Sequence, residues 1–175
     1  MAGPGLPDPV KLFVAVLWRE PKPLADATTR MEQLWGPIDF TGPDRTFDAT
    51  TYYESEMGSP LSRRIVGFRD LVSPEKLVET KLIAIDIEKD LRGAAGRTVN
   101  LDVGYLDHNK IVLASAKGAG QKIYLARGIF ADLVARFGHG RYQPFEWTFL
   151  DFRDGRYDDE LADLRQMYLK QLRMR

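Results

Sequence analysis

The sequence lacks cysteine altogether, although the chain has 175 residues. Without thiols there are no disulfides, no cysteine-ligated metal and no cysteine nucleophile. An excess of charge of either sign is also missing, because 25 Lys and Arg residues balance 25 Asp and Glu residues. No global field therefore attracts nucleic acid or an anionic membrane, and any anion site has to be local. We expect neither class of partner.

Long apolar runs are equally absent. The most apolar segment, residues 12–18, is far shorter than the roughly 20 residues that a membrane helix needs. Residues 1–9 have no basic segment followed by an apolar run, and their prolines and glycines predict a flexible lead. We therefore expect a cytoplasmic protein in which residues 10–175 form one domain.

The glycine motifs of common cofactor sites are incomplete in this chain. Residues 93–98 read GAAGRT, which is too short for a P-loop and has arginine where that loop has lysine. Residues 118–120 lack the third glycine of a dinucleotide fingerprint, and no nucleophile elbow is present. The only histidines, His108 and His139, are too far apart to bind zinc from one helical turn. P-loop nucleotide, Rossmann dinucleotide, haem and cysteine-ligated metal all lack support, and the cofactor stays unknown.

Residues 98–105 carry the clearest alternation of apolar and polar residues. A strand there places its apolar residues on one face and Asn100, Asp102 and Gly104 on the other. Asn100 and Asp102 are residue types that bind ligands or metals, and they share that face. Gly104 has no side chain, which lets another backbone or a ligand approach closely.

Hydrophobic periodicity predicts an α+β fold whose first part, residues 10–105, follows the ferredoxin-like order β-α-β-β-α-β. Its first strand, residues 10–18, is apolar on both faces and is predicted to lie in the centre of a sheet. The other predicted elements are a helix at 24–35, strands at 50–57 and 61–71, a helix that Ser73 caps, and the strand at 98–105. Residues 38–40 also have the composition of a short strand.

Residues 106–175 are predicted to extend this core by a β-hairpin and a terminal helix. Asp107 favours a short helix over residues 106–116 as its N-cap, although the β-branched residues that follow also suit a strand. Later elements are predicted as β-structure at 123–125, 129–137 and 142–152, and as a last helix that begins near Asp158.

Four aspartates near predicted strand ends are candidates for chemistry: Asp102, Asp107, Asp132 and Asp151. Converging carboxylates bind magnesium through oxygen or act as an acid and base pair. Asp102, Asp107 and Asp151 are the candidate metal ligands, and the catalytic candidates add His108, which neighbours Asp107. Aspartates at strand ends more often solvate an edge or cap a turn, so a structural interpretation stands beside this one.

Basic and aromatic residues at strand ends predict a site for an anion. Lys117 begins a loop whose glycines expose backbone amides, and arginine next to a strand binds phosphate or carboxylate through paired hydrogen bonds. Aromatic side chains are typical walls of such a pocket. The candidate ligand-binding residues are Tyr105, Lys117, Arg127, Trp147 and Arg153.

Arg63 and Arg64 are predicted to have a structural role. In the predicted hairpin they face Glu54 and Glu56 on the neighbouring strand. Exposed cross-strand ion pairs of this kind contribute less than about 1 kcal/mol each.

Seven runs of the sequence form a specific combination: PVKLFVAVLW, FDATTYYESEMGSPL, SPEKLVETKL, RTVNLDVGYL, KIVLASAK, IYLARGIFADL and EWTFLDFR. The combination resembles an uncharacterised bacterial family called domain of unknown function 4416, and it covers nearly everything from Pro9 to the final helix. The resemblance assigns no activity, substrate or cofactor, and no role to the residues that match the family pattern. The chain departs from that pattern at Val103, where we expect proline, and at Gln121-Lys122, where His-Arg is frequent.

Three functions follow from these observations. The leading hypothesis is a ligand-binding or regulatory domain that holds a small anionic molecule, with phosphorylated compounds as one option, between the core and the C-terminal hairpin. The alternatives are a metal-assisted hydrolase or transferase that uses aspartate carboxylates, and a protein-interaction module that forms a homodimer through a sheet edge or the last helix. Whether the chain is an enzyme stays open.

Overall fold

One antiparallel sheet of nine strands runs through the structure, a computed structural model that describes residues 3–175. The strands are β1 (Val10–Trp18), β2 (Ile38–Thr41), β3 (Arg45–Phe47), β4 (Leu61–Val72), β5 (Val99–Leu106), β6 (Lys110–Ser115), β7 (Ile123–Ala126), β8 (Ile129–Gly138) and β9 (Arg141–Pro144). The helices are α1 (Pro21–Trp35), α2 (Glu54–Met57), α3 (Leu77–Asp90), α4 (Leu150–Arg153) and α5 (Asp158–Arg173). Neighbouring strands follow the order β2-β4-β1-β5-β6-β8-β7, with β3 beside β4 and β9 beside β8.

β1 lies in the centre of the sheet because apolar residues fill both of its faces. It pairs with β4 on one side and β5 on the other, and its residues 10–17 are buried. Leu12, Val14 and Val16 pack in the layer of α1 and α3, which covers the first face of the sheet. Phe13 and Ala15 pack in the layer of α4 and α5, which covers the second face. The predicted central position of this strand is confirmed.

Other local predictions are confirmed where a strong apolar period coincides with a turn signal. β4, β5 and β8 agree with the strands predicted at 61–71, 98–105 and 129–137, and α5 is the expected last helix. Ser73 accepts a hydrogen bond from the backbone N–H of Glu75 and caps a short 3-10 turn that leads into α3. Residues 3–9 have no regular secondary structure, and residues 1 and 2 of the predicted lead lie outside the described residues.

The strand predicted at 50–57 is wrong. These residues form a turn followed by α2. The strand that follows α1 is β2, in the segment at residues 38–40 whose composition gave the weaker strand signal. The Thr50 hydroxyl accepts the N–H of Tyr52, and the carbonyl of Thr51 accepts the N–H of Glu54. Local hydrogen bonds of this kind offer the backbone an alternative to a strand ladder, which β-branched composition does not reveal.

The helix preferred for residues 106–116 is also wrong, because β6 occupies most of this segment between β5 and β8. The Asp107 carboxylate accepts the N–H groups of Asn109 and Lys110 and so closes a hairpin turn. An aspartate that satisfies two nearby N–H groups has the same local chemistry in a turn as at a helix N-cap. Pairing of β6 with β5 and β8 decides that this segment is a turn and a strand and not a helix.

The strand predicted over residues 142–152 ends early. β9 stops at Pro144, which has no N–H to continue the ladder, and α4 begins at Leu150. The Thr148 hydroxyl donates to the carbonyl of Val134 and holds the intervening loop against β8. Trp147 and Arg153 therefore do not lie on one face of a strand.

The sheet continues beyond the four strands of a ferredoxin-like core, so that arrangement stays a prediction. What the structure establishes is a mixed α+β architecture with helices on both faces of one antiparallel sheet. Residues 3–175 contain no helix that is both long and apolar enough to cross a membrane.

Gly104 is needed because the backbone of β6 approaches it closely, as its position in the alternating strand predicts. A Cβ atom at this position would lie 2.7 Å from the carbonyl oxygen of Val112 and 2.6 Å from Cδ2 of Leu113. We expect Gly104→Ala to lower the free energy of unfolding by about 1–3 kcal/mol, since a fixed backbone cannot move aside. Urea denaturation measures this loss.

The matched control is Gly5→Ala, where nothing lies within 4 Å of the added Cβ. This substitution is expected to change the free energy of unfolding by less than about 0.5 kcal/mol. Equal urea midpoints for the two variants would show that the contact between β5 and β6 is not tight at Gly104.

Candidate functional site

A buried arginine on β4 forms the middle of the site. Arg63 pairs in register with Leu17 of β1, and only 4% of its side chain is exposed. Its two terminal nitrogens donate to Oδ2 of Asp151 at 2.9 Å and to Oδ2 of Asp102 at 2.8 Å. Asp102 comes from β5 and Asp151 from α4, so three separate elements meet at one guanidinium. We call these three residues, together with Tyr157, the Arg63 centre.

The Arg63 centre is held by aromatic neighbours. The hydroxyl of Tyr157 donates to Oδ2 of Asp151 at 3.1 Å, and the ring of Phe47 lies 4.7 Å from the guanidinium carbon. Burial raises the pKa of Tyr157, which keeps its phenol protonated as a donor. Burial alone would lower the pKa of Arg63, but the carboxylates of Asp102 and Asp151 raise it. The guanidinium of Arg63 and the carboxylates of Asp102 and Asp151 together have a formal net charge of minus one.

Asp102 connects this centre to solvent. Its side chain is 26% exposed, Oδ2 is taken by Arg63, and Oδ1 accepts no hydrogen bond from residues 3–175. Two buried donors nearby are also without a partner among the described residues, namely Nε of Arg63 and Nδ2 of Asn100. Both residues pair with Leu17, so they lie on one row of the second face. Buried polar atoms of this kind are normally satisfied by ordered water or by a ligand.

The sheet opens beside Asp102. β5 and β6 pair only from Gly104 to Leu106, so the first half of β5 has no partner strand on that side. Side chains of α3 replace the strand there: Lys81 Nζ donates to the carbonyl of Leu101, and the N–H of Leu101 donates to Glu88. Burial raises the pKa of Glu88. β5 and β6 therefore diverge beside Asp102, and we call the region between the diverging strands the cleft.

Two lysines border the cleft on the side of β6. Lys117 Nζ donates to the hydroxyl of Tyr52 at 2.9 Å and lies 4.5 Å from the centre of its ring. Lys122 Nζ donates to Oγ of Ser115 at 3.1 Å and lies 3.8 Å from Oδ2 of Asp132. The hydrogen bond from Lys117 lowers the pKa of Tyr52. We call Tyr52, Ser115, Lys117 and Lys122 the lysine rim.

The lysine rim and the Arg63 centre belong to the same face of the sheet. Ser115 lies two residues beyond Leu113, the β6 residue that pairs with Gly104, so it has the same strand parity as Asp102. The ring of Tyr53 meets that of Tyr52 edge-on at 5.0 Å. Burial, followed by the nearby carboxylate of Asp102, raises the pKa of Tyr53 to about 12. Tyr53 therefore connects the rim to the carboxylate.

A family model described as Domain of unknown function (DUF4416) matches residues 8–168 of this chain. The chain belongs to this family. No curated protein and no solved structure matches it. The family description names no activity, so the site of this DUF4416 chain has to be interpreted from its own residues.

The structure brings together two of the residues that the sequence singles out. Asp102 and Asp151 share Arg63, whereas Lys117 donates to Tyr52 in the lysine rim. Lys122, which ends the same loop, joins Lys117 through Ser115. This cluster is the part of the DUF4416 chain where predicted polar residues from separate segments meet.

The other ligand-binding candidates lie elsewhere. Tyr105 packs with the helices of the first face, opposite to Asp102. Arg127 is exposed in the turn between β7 and β8 with φ at 53°. The exposed Arg153 donates to the carbonyl of Glu146, and Trp147 Nε1 donates to the carbonyl of Leu133. None of these four shares a recorded hydrogen bond with the Arg63 centre.

The metal and acid–base candidates are engaged in structural contacts. Asp107 closes the turn between β5 and β6, forms an ion pair with Lys110, and through its carbonyl accepts the hydroxyl of Tyr142. The carbonyl of His108 accepts a hydrogen bond from Arg165. Within residues 3–175, no group of three or more His, Cys, Asp or Glu side chains is arranged to hold a metal ion.

Arg63 is the residue that sequence reasoning missed. The predicted cross-strand pairs with Glu54 and Glu56 are wrong, because Glu56 binds Arg97 instead and Arg63 points into the protein. Its parity was the available signal: Leu61, Arg63 and Ile65 share one face of β4, and both flanking residues are apolar. A charged residue on an apolar parity indicates a buried ion pair, but the sequence does not name its partners.

Proposed function

We propose that this chain is a ligand-binding or regulatory domain that captures a small phosphorylated molecule with free hydroxyl groups in the cleft between the Arg63 centre and the lysine rim. The proposal rests on the partly exposed carboxylate of Asp102, which belongs to the same face of the sheet as the lysine rim with its ammonium groups of Lys117 and Lys122. One end of the cleft therefore offers a hydrogen-bond acceptor, and the other end is positively charged.

The two ends select different parts of a ligand. A phosphate group suits the lysine rim, where the exposed ammonium of Lys117 can donate charge-assisted hydrogen bonds and Lys122, held by Ser115 and Asp132, adds positive charge nearby. The negative Arg63 centre repels the same phosphate, so an anion without hydroxyl groups is not expected to bind near Asp102. A hydroxyl group suits Oδ1 of Asp102, which lacks a donor among residues 3–175. Sugar phosphates and nucleotides combine both groups.

Aromatic rings support the same class of ligand. Tyr52 is exposed beside Lys117, and the ring of Phe149 is exposed 5.8 Å from Nζ of Lys122. Exposed rings that flank polar groups are typical of sites that hold a sugar or a base by its apolar faces.

We further infer that β2, β4, β1 and β5, with α1 and α3, correspond to the ferredoxin-like unit that the sequence predicts. Their neighbouring order and the packing of both helices on the first face support this interpretation. The cleft then lies at the outer edge of that unit, where β6 begins the C-terminal extension.

Thermal-shift measurements with inorganic phosphate, nucleoside monophosphates and sugar phosphates test the binding proposal. We expect at least one phosphorylated, hydroxylated compound to raise the Tm, because a ligand that binds only the folded state stabilises it. Lys117→Ala and Lys122→Ala should each weaken that binding by about tenfold or more, since a hydrogen bond to a charged group contributes about 1.5–3 kcal/mol.

The control is Lys22→Ala, which removes an exposed lysine whose ion-pair partner lies one helical turn away on α1. It should leave the ligand-induced shift unchanged. If no compound of the panel stabilises the protein, or if the two rim variants bind as well as the Lys22 variant, the lysine rim is not a phosphate site.

A further inference from the structure

The sheet ends in a short apolar edge strand of four residues, whose pairing with β8 shifts register between Tyr124 and Ala126. β7 pairs with β8 on one side, and no strand of residues 3–175 covers its other side. All four of its residues are exposed, including Ile123 at 66% and Tyr124 at 60%. Edge strands of monomeric proteins normally carry charged residues, proline or a bulge that prevents pairing with another chain. Residues 123–126 read IYLA and contain neither a charge nor a proline.

Other exposed apolar side chains extend the edge into a patch. Leu133 lies on β8 just past the residue that pairs with Ile123, and its carbonyl accepts the indole N–H of Trp147. Phe149 lies against Lys122, the residue before the strand. All three are exposed. We call the resulting surface the apolar edge: Ile123, Tyr124, Leu125, Leu133, Trp147 and Phe149.

The size of the apolar edge fits a protein interface. Aromatic side chains present about 150–250 Å² each and aliphatic ones less, so six that are about half exposed offer on the order of 500 Å². That area lies in the upper part of the range of about 300–600 Å² for the largest patch on a typical monomer. A standard interface takes about 800 Å² from each partner, which the backbone and polar surroundings of β7 would complete.

We propose that the apolar edge is a homodimer interface in which β7 pairs antiparallel with β7 of a second copy. An antiparallel pair of identical strands is related by a twofold axis, so each edge supplies the donors and acceptors that the other lacks. The uncharged strand offers nothing to attract an acidic or basic partner.

Two copies meet at this edge without strong repulsion. The formal net charge of the chain is zero. Lys122, the charged residue at the start of β7, directs Nζ toward Ser115 and Asp132 and not toward the open edge. This interface is independent of the proposed ligand, although Lys122 and Phe149 adjoin both surfaces.

Sedimentation velocity of the full chain over a range of concentrations tests the proposal. We expect a dimer with a Kd on the order of 1 μM or tighter. The double variant Ile123→Lys, Leu125→Lys places like charges across the twofold axis and should weaken dimerisation by about 100-fold or more. Leu34→Lys, which alters an exposed leucine on α1 far from this edge in sequence, should remain dimeric.

Hydrogen exchange on the unsubstituted protein gives a second readout that needs no variant. The amides of residues 123–126 should exchange more slowly as concentration rises through the Kd, because pairing buries them. A monomer at every concentration overturns the proposal. So does a dimer that the double lysine variant leaves intact, or one in which these amides exchange at the monomer rate, since the contact would then lie elsewhere.

Discussion

Arg63→Met is expected to lower the free energy of unfolding by about 3–5 kcal/mol. The substitution removes the guanidinium but leaves Asp151 almost fully buried and Asp102 largely buried. Two carboxylates then face each other in a low-dielectric environment without a counter-charge, and each loses a charge-assisted hydrogen bond. Chemical denaturation at neutral pH measures the loss. An effect of this size is a large part of the stability of a typical domain.

Two further variants separate burial of charge from loss of packing. Arg30→Met removes an exposed arginine of α1 that pairs with Asp90, and it should cost less than about 1 kcal/mol. Adding Asp102→Asn and Asp151→Asn to Arg63→Met removes the unpaired charges and should restore about half of the lost stability or more. If the triple variant is no more stable than Arg63→Met, packing of the arginine stem and not charge pairing dominates at this position.

The second large effect is alkaline unfolding between about pH 10 and pH 12. Burial raises the pKa values of Tyr53 and Tyr168 to about 12, and it also raises those of Tyr142 and Tyr157. Unfolded tyrosine has a pKa near 10, so the folded state retains these protons longer than the unfolded state does. Their stabilising contribution is complete below about pH 10 and is lost as the pH rises toward about 12.

The size of this effect is a large fraction of the free energy of unfolding of a typical domain. A rise from 10 to about 12 for Tyr53 alone corresponds to at most about 2.7 kcal/mol. Tyr142, Tyr157 and Tyr168 add to it in the same direction. Lys11, whose pKa burial lowers, acts in the opposite sense only until unfolded lysine loses its proton near pH 10.5. Four tyrosines therefore outweigh one lysine.

Circular dichroism and tyrosinate absorbance, recorded together during an alkaline titration, check this expectation. Loss of secondary structure should coincide with ionisation of the buried tyrosines. Tyr52 provides an internal control, because its hydrogen bond from Lys117 lowers its pKa and it should ionise in the folded protein. Tyr52→Phe should remove this early phase and leave the unfolding transition in place. Ionisation of all tyrosines near pH 10 without loss of structure would contradict the argument.

Local sequence signals correctly predicted the elements in which apolar periodicity and the flanking turn residues indicate the same structure. β1, β4, β5 and β8 follow from apolar periodicity, and Ser73 correctly marks the turn into α3. The errors at 50–57, 106–116 and 142–152 have a common origin. In each segment a polar side chain hydrogen-bonds to the backbone: Thr50 and Asp107 to groups two or three residues away, and Thr148 to the distant carbonyl of Val134.

The candidate site divides in the same way. Asp102, Asp151 and Lys117 are recognisable in sequence as polar residues near predicted strand ends. Lys117 donates to Tyr52, while the structure joins Asp102 and Asp151 through one guanidinium. Their convergence depends on Arg63, whose partners lie far away in the chain. Arg127 and Arg153 have the same local appearance but lie in exposed positions on other parts of the surface.

The sequence by itself determined the mixed α+β character, the buried central strand and the membership of a family over residues 8–168. These depend on periodicity and composition, which act over a few neighbouring residues. The tertiary structure alone decided that β5 and β6 separate beyond Gly104, that Arg63 unites two carboxylates, and that β7 is left open at the edge. These features arise from pairing between distant segments, and pairing is a property of the assembled sheet that no single strand encodes.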